Sequence, residues 1–411
     1  MAINTLAYAT LFMQELDKQV VAGATSGWME GNAGLVVYKG GNTVKIPKLS
    51  MDGLGNYDRG TGFAQGAATL AYETRTMTQD RGRTFMLDSM DIDETNFVAS
   101  ASNLMGEFQR TKVIPEIDAY RYSTIAALAI AGSRASGGYT PVAATILSMI
   151  KADIAAIQDV IGTVPLVITL STATLAILES STELVRQLEV AAFPGIIQNE
   201  VKQIDSCPII EVPSARLKTA YILNDGRTVG QEAGGFIPVG PANLTLQGVK
   251  YTATTVGPAG NAYTVQIIQG AGVSVVTAGV ITAGALVITL GTTSGSAPLA
   301  VTATQIAALV FTGTVVIVAT AVVGATVQAV VAATNLAGGA GTGTASKSIN
   351  WLITALNAPI AISKTDNMRI FSPDQNQLAD AWKLDYRKYH DLWIKDNALP
   401  TIFANIKESL V

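Results

Sequence analysis

In the first ninety residues, apolar and polar positions alternate in short runs. Asn42-Thr43-Val44-Lys45-Ile46-Pro47-Lys48-Leu49 changes sides at every residue, which predicts a half-exposed strand. A glycine-rich turn region at 53–66 follows, and 72–77 and 83–88 read as further strand. Bulky apolar residues are sparse here. The stretch is therefore expected to be an extended hairpin arm that must lie on another surface.

From Asp93-Glu94-Thr95 the period lengthens. Phe97, Ala101, Leu104 and Phe108 fall on one helical face, with the acids at the positive end of the dipole. The face is expected to break at Pro115 and to resume in a small-residue helix at 125–130. Thr140-Pro141, a cap followed by proline in the first turn, predicts the start of a third helix. Ile146, Ile150, Ile154, Ile157 and Ile161 would form its buried face. The apolar run 166–170 predicts a buried strand, followed by two helical segments and the strand 209–212. Near the C-terminus 360–362 and 368–371 read as two strands. Residues 382–387 alternate and read as strand, although Trp382, Tyr386, Tyr389 and Trp393 also fit helical spacing.

Between these flanks the chemistry changes. From Tyr251 to Ser346 there is no Asp, Glu, Lys or Arg, and all 58 charged side chains lie elsewhere. A membrane span is the first reading to test. Its best segment, 307–325, is broken by Thr312, Thr314, Thr320, Gly313 and Gly324 and has no flanking Lys or Arg. Disorder is excluded by the abundance of Val and Ile. Turn signals at 257–261, 270–272, 283–284, 291–295 and 338–343 separate β-branched runs such as 263–268 and 286–290. Residues 302–309 read as a helix, and Thr302 with Gln305 has capping-box spacing. The prediction is a β-sandwich-like domain of five to seven strands with one short helix.

The remaining composition narrows the function classes. The net charge of −4 carries no polycationic signature for nucleic acid. With Cys207 as the single cysteine, no intrachain disulfide is possible, and its apolar surroundings predict a buried, inert thiol. The start, Met1-Ala2-Ile3-Asn4-Thr5-Leu6, has no basic or long apolar region of a secretory signal, so synthesis in a reducing cytosol is expected.

Candidate chemistry is thin. His390, the one histidine, has no recognisable nucleophile motif and reads as a surface or interface residue. Asp91-Ile92-Asp93-Glu94 reads as helix N-terminal charge rather than a metal site. Gly338-Gly339-Ala340-Gly341-Thr342-Gly343 has Thr344 where a phosphate loop needs lysine, and Lys347 comes too late, so it reads as a hinge. Tyr386-Arg387-Lys388-Tyr389 mixes base and aromatic but lies between Asp385 and Asp391, which favours an assembly contact over nucleic acid. No residue is assigned a catalytic, cofactor-binding or metal role, and no enzyme is expected.

Three motifs in order carry a resemblance. The first is Tyr72-Glu73, then Met77-Thr78-Gln79-Asp80-Arg81-Gly82, Phe85, Asp88, Met90-Asp91 and Asp93-Glu94-Thr95. The second runs from Ile204 through Cys207-Pro208 to Pro213-Ser214. The third begins at Asn350-Trp351-Leu352-Ile353. It continues through Ala358-Pro359-Ile360-Ala361, Lys364, Met368-Arg369-Ile370-Phe371 and Pro373-Asp374 to Ala381-Trp382-Lys383-Leu384-Asp385-Tyr386-Arg387 and Tyr389-His390-Asp391. Together they resemble tailed-bacteriophage major capsid proteins of the Hong Kong 97-like fold. The uncharged stretch resembles β modules of phage structural proteins.

The resemblance implies an α+β subunit. Residues 1–40 would be an N-terminal arm, 41–90 an extended loop, 91–240 with 347–411 the peripheral and axial capsid core with its spine helix, and 241–346 an inserted β-rich domain. It implies pentamers and hexamers in an icosahedral shell around double-stranded DNA touched only non-specifically. The implied location is the virion, after assembly in the bacterial host cytoplasm, without a membrane. The start of the chain lacks the long charged scaffold domain of some members, which implies a separate scaffolding protein. A portal and a decoration protein are further implied partners. Two other functions fit the residues: an encapsulin-like nanocompartment shell, and a host-surface binding module carried by the insertion.

Overall fold

The computed structural model describes residues 23–35, 37–38, 42–88, 101–181, 202–228, 231–273, 278–292, 299–313, 316–340, 344–376 and 379–410. The chain divides into two compact units, Met1–Thr219 with Lys347–Val411, and Ala220–Ser346.

The first unit is built on a six-stranded sheet. Its order is Ala135–Gly137, Ile402–Ile406, Ile349–Ala355, Leu166–Ser171, Cys207–Val212 and Gln203–Ile204. Leu166–Ser171 is buried along its whole length, antiparallel to Ile349–Ala355 and parallel to Cys207–Val212. A continuous apolar run is what a strand covered on both faces requires. Ile146, Ile150, Ile154 and Ile157 of one helix pack into the same core as Leu166, Ile168 and Trp351.

Two helical expectations are revised. The helix expected after Thr140-Pro141 spans Ile146–Ile161 (α3). Val142 O accepts from both Thr145 N and Ile146 N at 3.1 Å, so a turn separates the proline from the helix. Nor is there a break at Pro115. Ala101–Phe108 (α1) continues through a π turn, Gln109–Val113, into Ile114–Ala131 (α2). Ile114 N–H reaches back five residues to Gln109 O, and this wider turn directly ahead of Pro115 lets the helix pass a residue that has no N–H to donate. After the buried strand, Thr172–Glu179 (α4) is helical, with Ser171 accepting from Thr174 N. The second helical segment expected there, residues 91–100 with the acidic start of the first helix, and 1–22 of the arm lie outside the described residues.

A second sheet of the same unit joins Pro359–Phe371, Ala381–Ile394 and Gln79–Asp88, all antiparallel. The two strands expected at 360–362 and 368–371 are one strand. A bulge between Ser363 and Thr365 shifts its register and hides the alternation. Ala381–Ile394 is strand throughout and is paired on both sides, so the helical spacing of its aromatics has no structural counterpart. Thr43–Met51 and Ala68–Thr76 form the expected hairpin, in register from Thr43 opposite Thr76 to Met51 opposite Ala68.

The second unit has two sheets sharing one apolar core. One contains Pro241–Leu246, Val249–Val256 and Ile317–Ala321. The other runs Thr312–Gly313, Ala278–Thr282, Ala285–Thr292, Thr264–Val273 and Val331–Asn335. Tyr251, Ala253 and Ile317 of the first meet Val265, Ile267, Leu286 and Ile288 of the second. Among the described residues these sheets hold eight strands rather than five to seven, the surplus being short edge pieces. The expected helix spans Ala303–Ala307 and starts at the capping box, with Gln305 Oε1 accepting from Thr302 N–H at 2.8 Å.

The compact unit starts at Ala220 rather than 241. The hairpin Tyr221–Leu223 with Phe236–Pro238 belongs to it, and the nearby Asp225, Arg227 and Glu232 gave that stretch the composition of the flanks. Residues 338–340 are not a hinge. Ala340 and Gly240 exchange both backbone hydrogen bonds at 3.0 Å, and Gly339 N–H donates to Asn261 Oδ1 at 2.9 Å. A Cβ on Gly339 would run into Gly257 O and lie 2.9 Å from Ala242 N, so this glycine serves close backbone approach. Among the described residues no helix is long and apolar enough to cross a membrane.

Candidate functional site

The hairpin arm changes character along its length. At its base Val44 and Ile46, on one face by strand alternation, are fully buried with Met77, Ile360, Ile362 and Trp393. Beyond Lys48 the same two strands expose Leu49, Met51, Leu70 and Tyr72. At the tip Leu54 is fully exposed and Phe63 is 87% exposed, its ring 4.9 Å from that of Tyr57. The tip is nevertheless ordered by its own hydrogen bonds. Asp58 and Gly62 exchange backbone bonds of 3.2 and 2.8 Å, and Asp52 Oδ2 accepts from Ala67 N–H at 2.7 Å.

Two polar groupings fix the base. Arg75 bridges Glu73 (3.2 Å) and Asp396 (2.9 Å), and Lys48 approaches Asp396 at 3.4 Å. The pivot is deeper. Asp391, buried in the strand Ala381–Ile394, accepts from Thr78 N–H (2.8 Å), Thr78 Oγ1–H (3.0 Å), Tyr120 O–H (2.5 Å) and Leu392 N–H (2.8 Å). Tyr389 O–H donates to Met77 O at 3.0 Å. Met77-Thr78 is the corner at which the arm leaves the sheet, so these bonds set the arm's direction. Burial first, then the bond to Asp391, pushes the Tyr120 hydroxyl up to about 12.

A second clamp holds residues 25–30 on α2. The fully buried Asp118 accepts from Thr25 N–H and Oγ1–H (3.3 and 3.0 Å), Ser26 N–H and Oγ–H (3.1 and 2.7 Å) and Arg216 (3.3 Å). Arg121, also fully buried, donates to Ser26 O at 3.1 Å and pairs with Glu30. Sequence reasoning missed this clamp. The available signal was Asp118 and Arg121, i and i+3 among the apolar positions Ile117, Tyr122 and Ile125.

The structure does not bring the candidate chemical residues together. Cys207 is buried, its thiol pointing to Asp205 O at 3.6 Å, and burial first, then Asp205, pushes its pKa up. His390 is not at the surface. It is 2% exposed, edge-on to Tyr120 at 5.6 Å, because its strand lies in the middle of a sheet. Burial, then the charges of Arg121, Lys388 and Arg81, lowers it to about 3, so it stays neutral. Both cations of the run 386–389 are paired with carboxylates. Lys388 is buried against Asp366, and Arg387 holds Asp80 through bonds of 2.8 and 2.6 Å. Asp91, Asp93 and Glu94 lie outside the described residues. Among those described, no group of three or more His, Cys, Asp or Glu is placed to hold a metal ion.

One further buried acid sits in the first unit's core. Asp153 on α3 accepts from Trp351 Nε1–H at 2.9 Å and faces Asn405 Nδ2 at 3.5 Å. Burial outweighs both bonds and raises its pKa to about 6.

No protein-family model matches this chain, and no curated protein matches it. Among solved structures it is similar to a capsid structure of the cyanophage P-SCSP1u, at 8% identity over 90% of this chain and 84% of that one, with a TM-score of 0.48. It is also similar to the asymmetric unit of the bacteriophage PhiM1 mature capsid (9%, 90% and 83%, 0.45) and to the capsid structure of Staphylococcus phage Andhra (9%, 90% and 81%, 0.42). At such values the residue-level chemistry has to be argued from this chain itself.

Proposed function

We propose that this chain is the major capsid subunit of a tailed bacteriophage, of the Hong Kong 97-like type. In this reading it closes into pentamers and hexamers and then into an icosahedral shell around double-stranded DNA. The observation that carries the reading is the arm. Its base is locked into the subunit, whereas its ordered outer half holds Leu54, Tyr57, Phe63 and Leu70 in water. A large apolar side chain gains ~1.5–3 kcal/mol when fully buried, so a pre-directed arm of this kind favours a neighbouring subunit as its cover. Residues 41–90 then serve as the extended loop, and 1–40 as an N-terminal arm departing from the clamp on α2. The three ordered sequence motifs support the same assignment. The scaffolding protein, portal, decoration protein and assembly in the host cytoplasm belong to this proposal.

The test is expression with and without a scaffolding protein, followed by sizing and electron microscopy. Capsomer rings or closed shells are expected. The triple variant Leu54→Ser, Tyr57→Ser, Phe63→Ser should keep the parent circular dichroism and remain unassembled. A small monomer that never yields rings or shells, even with scaffold, overturns the reading. Particles filled with a protein cargo and lacking DNA would point to a nanocompartment instead.

A further inference from the structure

Residues 132–145, the connection from α2 to α3, are fastened to the core by a closed circuit of contacts. Asp153 Oδ2 on α3 accepts from Trp351 Nε1–H at 2.9 Å and faces Asn405 Nδ2 at 3.5 Å. Asn405 Nδ2 donates to Ser136 Oγ at 2.9 Å, and Asn405 Oδ1 accepts from Asn350 Nδ2 at 2.8 Å. Asn350 Nδ2 also donates to Tyr139 O at 2.8 Å. The Tyr139 ring meets Trp351 edge-on at 5.7 Å and closes the circuit. Asp153, Asn350, Trp351 and Asn405 are buried, whereas Ser136 and Tyr139 are half-buried. Two residues of the connection thus depend on one buried carboxyl through two asparagines and a tryptophan.

The circuit contains no cation. The strands that supply its buried partners, Ile349–Ala355 and Ile402–Ile406, have no ionisable side chain. On the neighbouring elements, Arg134 is bound by Ala156 O and Pro400 O at 3.2 and 3.1 Å. Lys151 pairs with Asp205, and Asp396 with Arg75 and Lys48. Asp159 on α3 is exposed, and Glu179 on α4 is half-buried. Among the described residues none of these groups is paired with Asp153, so no counter-charge opposes the burial that raises its pKa to about 6.

We propose that Asp153 is a proton-controlled latch for residues 132–145. Protonated, it keeps the circuit dry and closed. Ionised, it draws in water and frees the connection at Ser136 and Tyr139. A folded pKa above the unfolded 3.8 gives stability that is full below about pH 4 and is lost as the pH rises through 6. Opening that hydrates the carboxyl restores the lower value, so the opening equilibrium grows ~10-fold from pH 5 to 7.5. The surface formed by 132–145 is therefore ordered in mild acid and loosened at neutral pH, within the single subunit and without assembly.

The test is hydrogen exchange by mass spectrometry on the full unassembled chain at pH 5 and 7.5, with each rate divided by the intrinsic rate at that pH. In the parent, protection of peptides within 132–145 should fall ~10-fold between the two, while α2 peptides change less than about twofold. Asp153→Asn cannot ionise and should remove the step. A flat parent profile overturns the latch, and so does a step that survives in Asp153→Asn. Should that variant fail to fold, Ser136→Ala at the sheet edge decides. It cuts the tie between Asn405 and the connection, so protection should already be low at pH 5 and the step should shrink below about threefold. An undiminished step in Ser136→Ala overturns the proposal.

Discussion

The arm's pivot gives the sharpest test of how this subunit is wired. In Asp391→Asn one oxygen remains to accept, and the new NH2 faces donors that were served by the carboxylate. Two of the four donors, among Thr78 N–H, Thr78 Oγ1–H, Tyr120 O–H and Leu392 N–H, lose their acceptor. At ~1–3 kcal/mol for each buried unsatisfied donor, the corner is weakened by ~2–6 kcal/mol. Each 1.4 kcal/mol corresponds to a factor of ten in a local opening equilibrium. Amide exchange at Thr78 and along 68–76 should therefore accelerate ~30-fold or more in the unassembled subunit. The α3 amides, which pack in a different core, should change far less. Thr78→Val removes one donor together with its need for a partner and should give a smaller effect in the same peptides. The readout is hydrogen exchange by mass spectrometry on both variants. Equal acceleration in α3 and in the arm would refute the pivot argument, because Asp391 would then be an ordinary contributor to global stability.

Two further predictions concern the two cores. Asp153 has a folded pKa of about 6 against 3.8 in the unfolded chain, so its contribution to stability is full below about pH 4 and is lost as the pH rises through 6. Asp153→Asn should therefore stabilise the subunit at pH 7.5 by up to ~3 kcal/mol, with little difference at pH 4, in urea melts of variant against parent. An equal effect at both pH values would show that the charge is not responsible. Gly339→Ala forces backbone apart at Gly257 and Ala242 and should destabilise the second unit by ~1–3 kcal/mol. Limited proteolysis should then cut within 220–346 before the first unit, and an unchanged cleavage pattern would count against the close approach.

What the sequence made legible follows from which residues decide each element. The arm and α3 were readable because their alternation and their isoleucine spacing are local signals that the fold leaves intact. The C-terminal strand pair was only half readable. The bulge after Ser363 reverses which face each side chain takes, so 360–362 and 368–371 read as two strands rather than one. Pro115 was misread for a related reason, since one π turn just ahead of it adjusts the helix and leaves no mark in the apolar period. His390, Asp391 and Lys388 carry the polar signature of a surface, yet all three are buried, because partners on α2, at Thr78 and at Asp366 satisfy or surround them. Such partners are far away in sequence, and no period reports them. The loss of charge begins at Tyr251, whereas the compact unit begins at Ala220 with a hairpin of ordinary composition, so composition does not report its edge. The same limit applies to the arm. Alternation told that one face is apolar, but only the structure separates Val44 and Ile46, which the subunit covers itself, from Leu54 and Phe63, which it leaves for something else. The functional reading depends on that division, because a face buried along its whole length would need no neighbour.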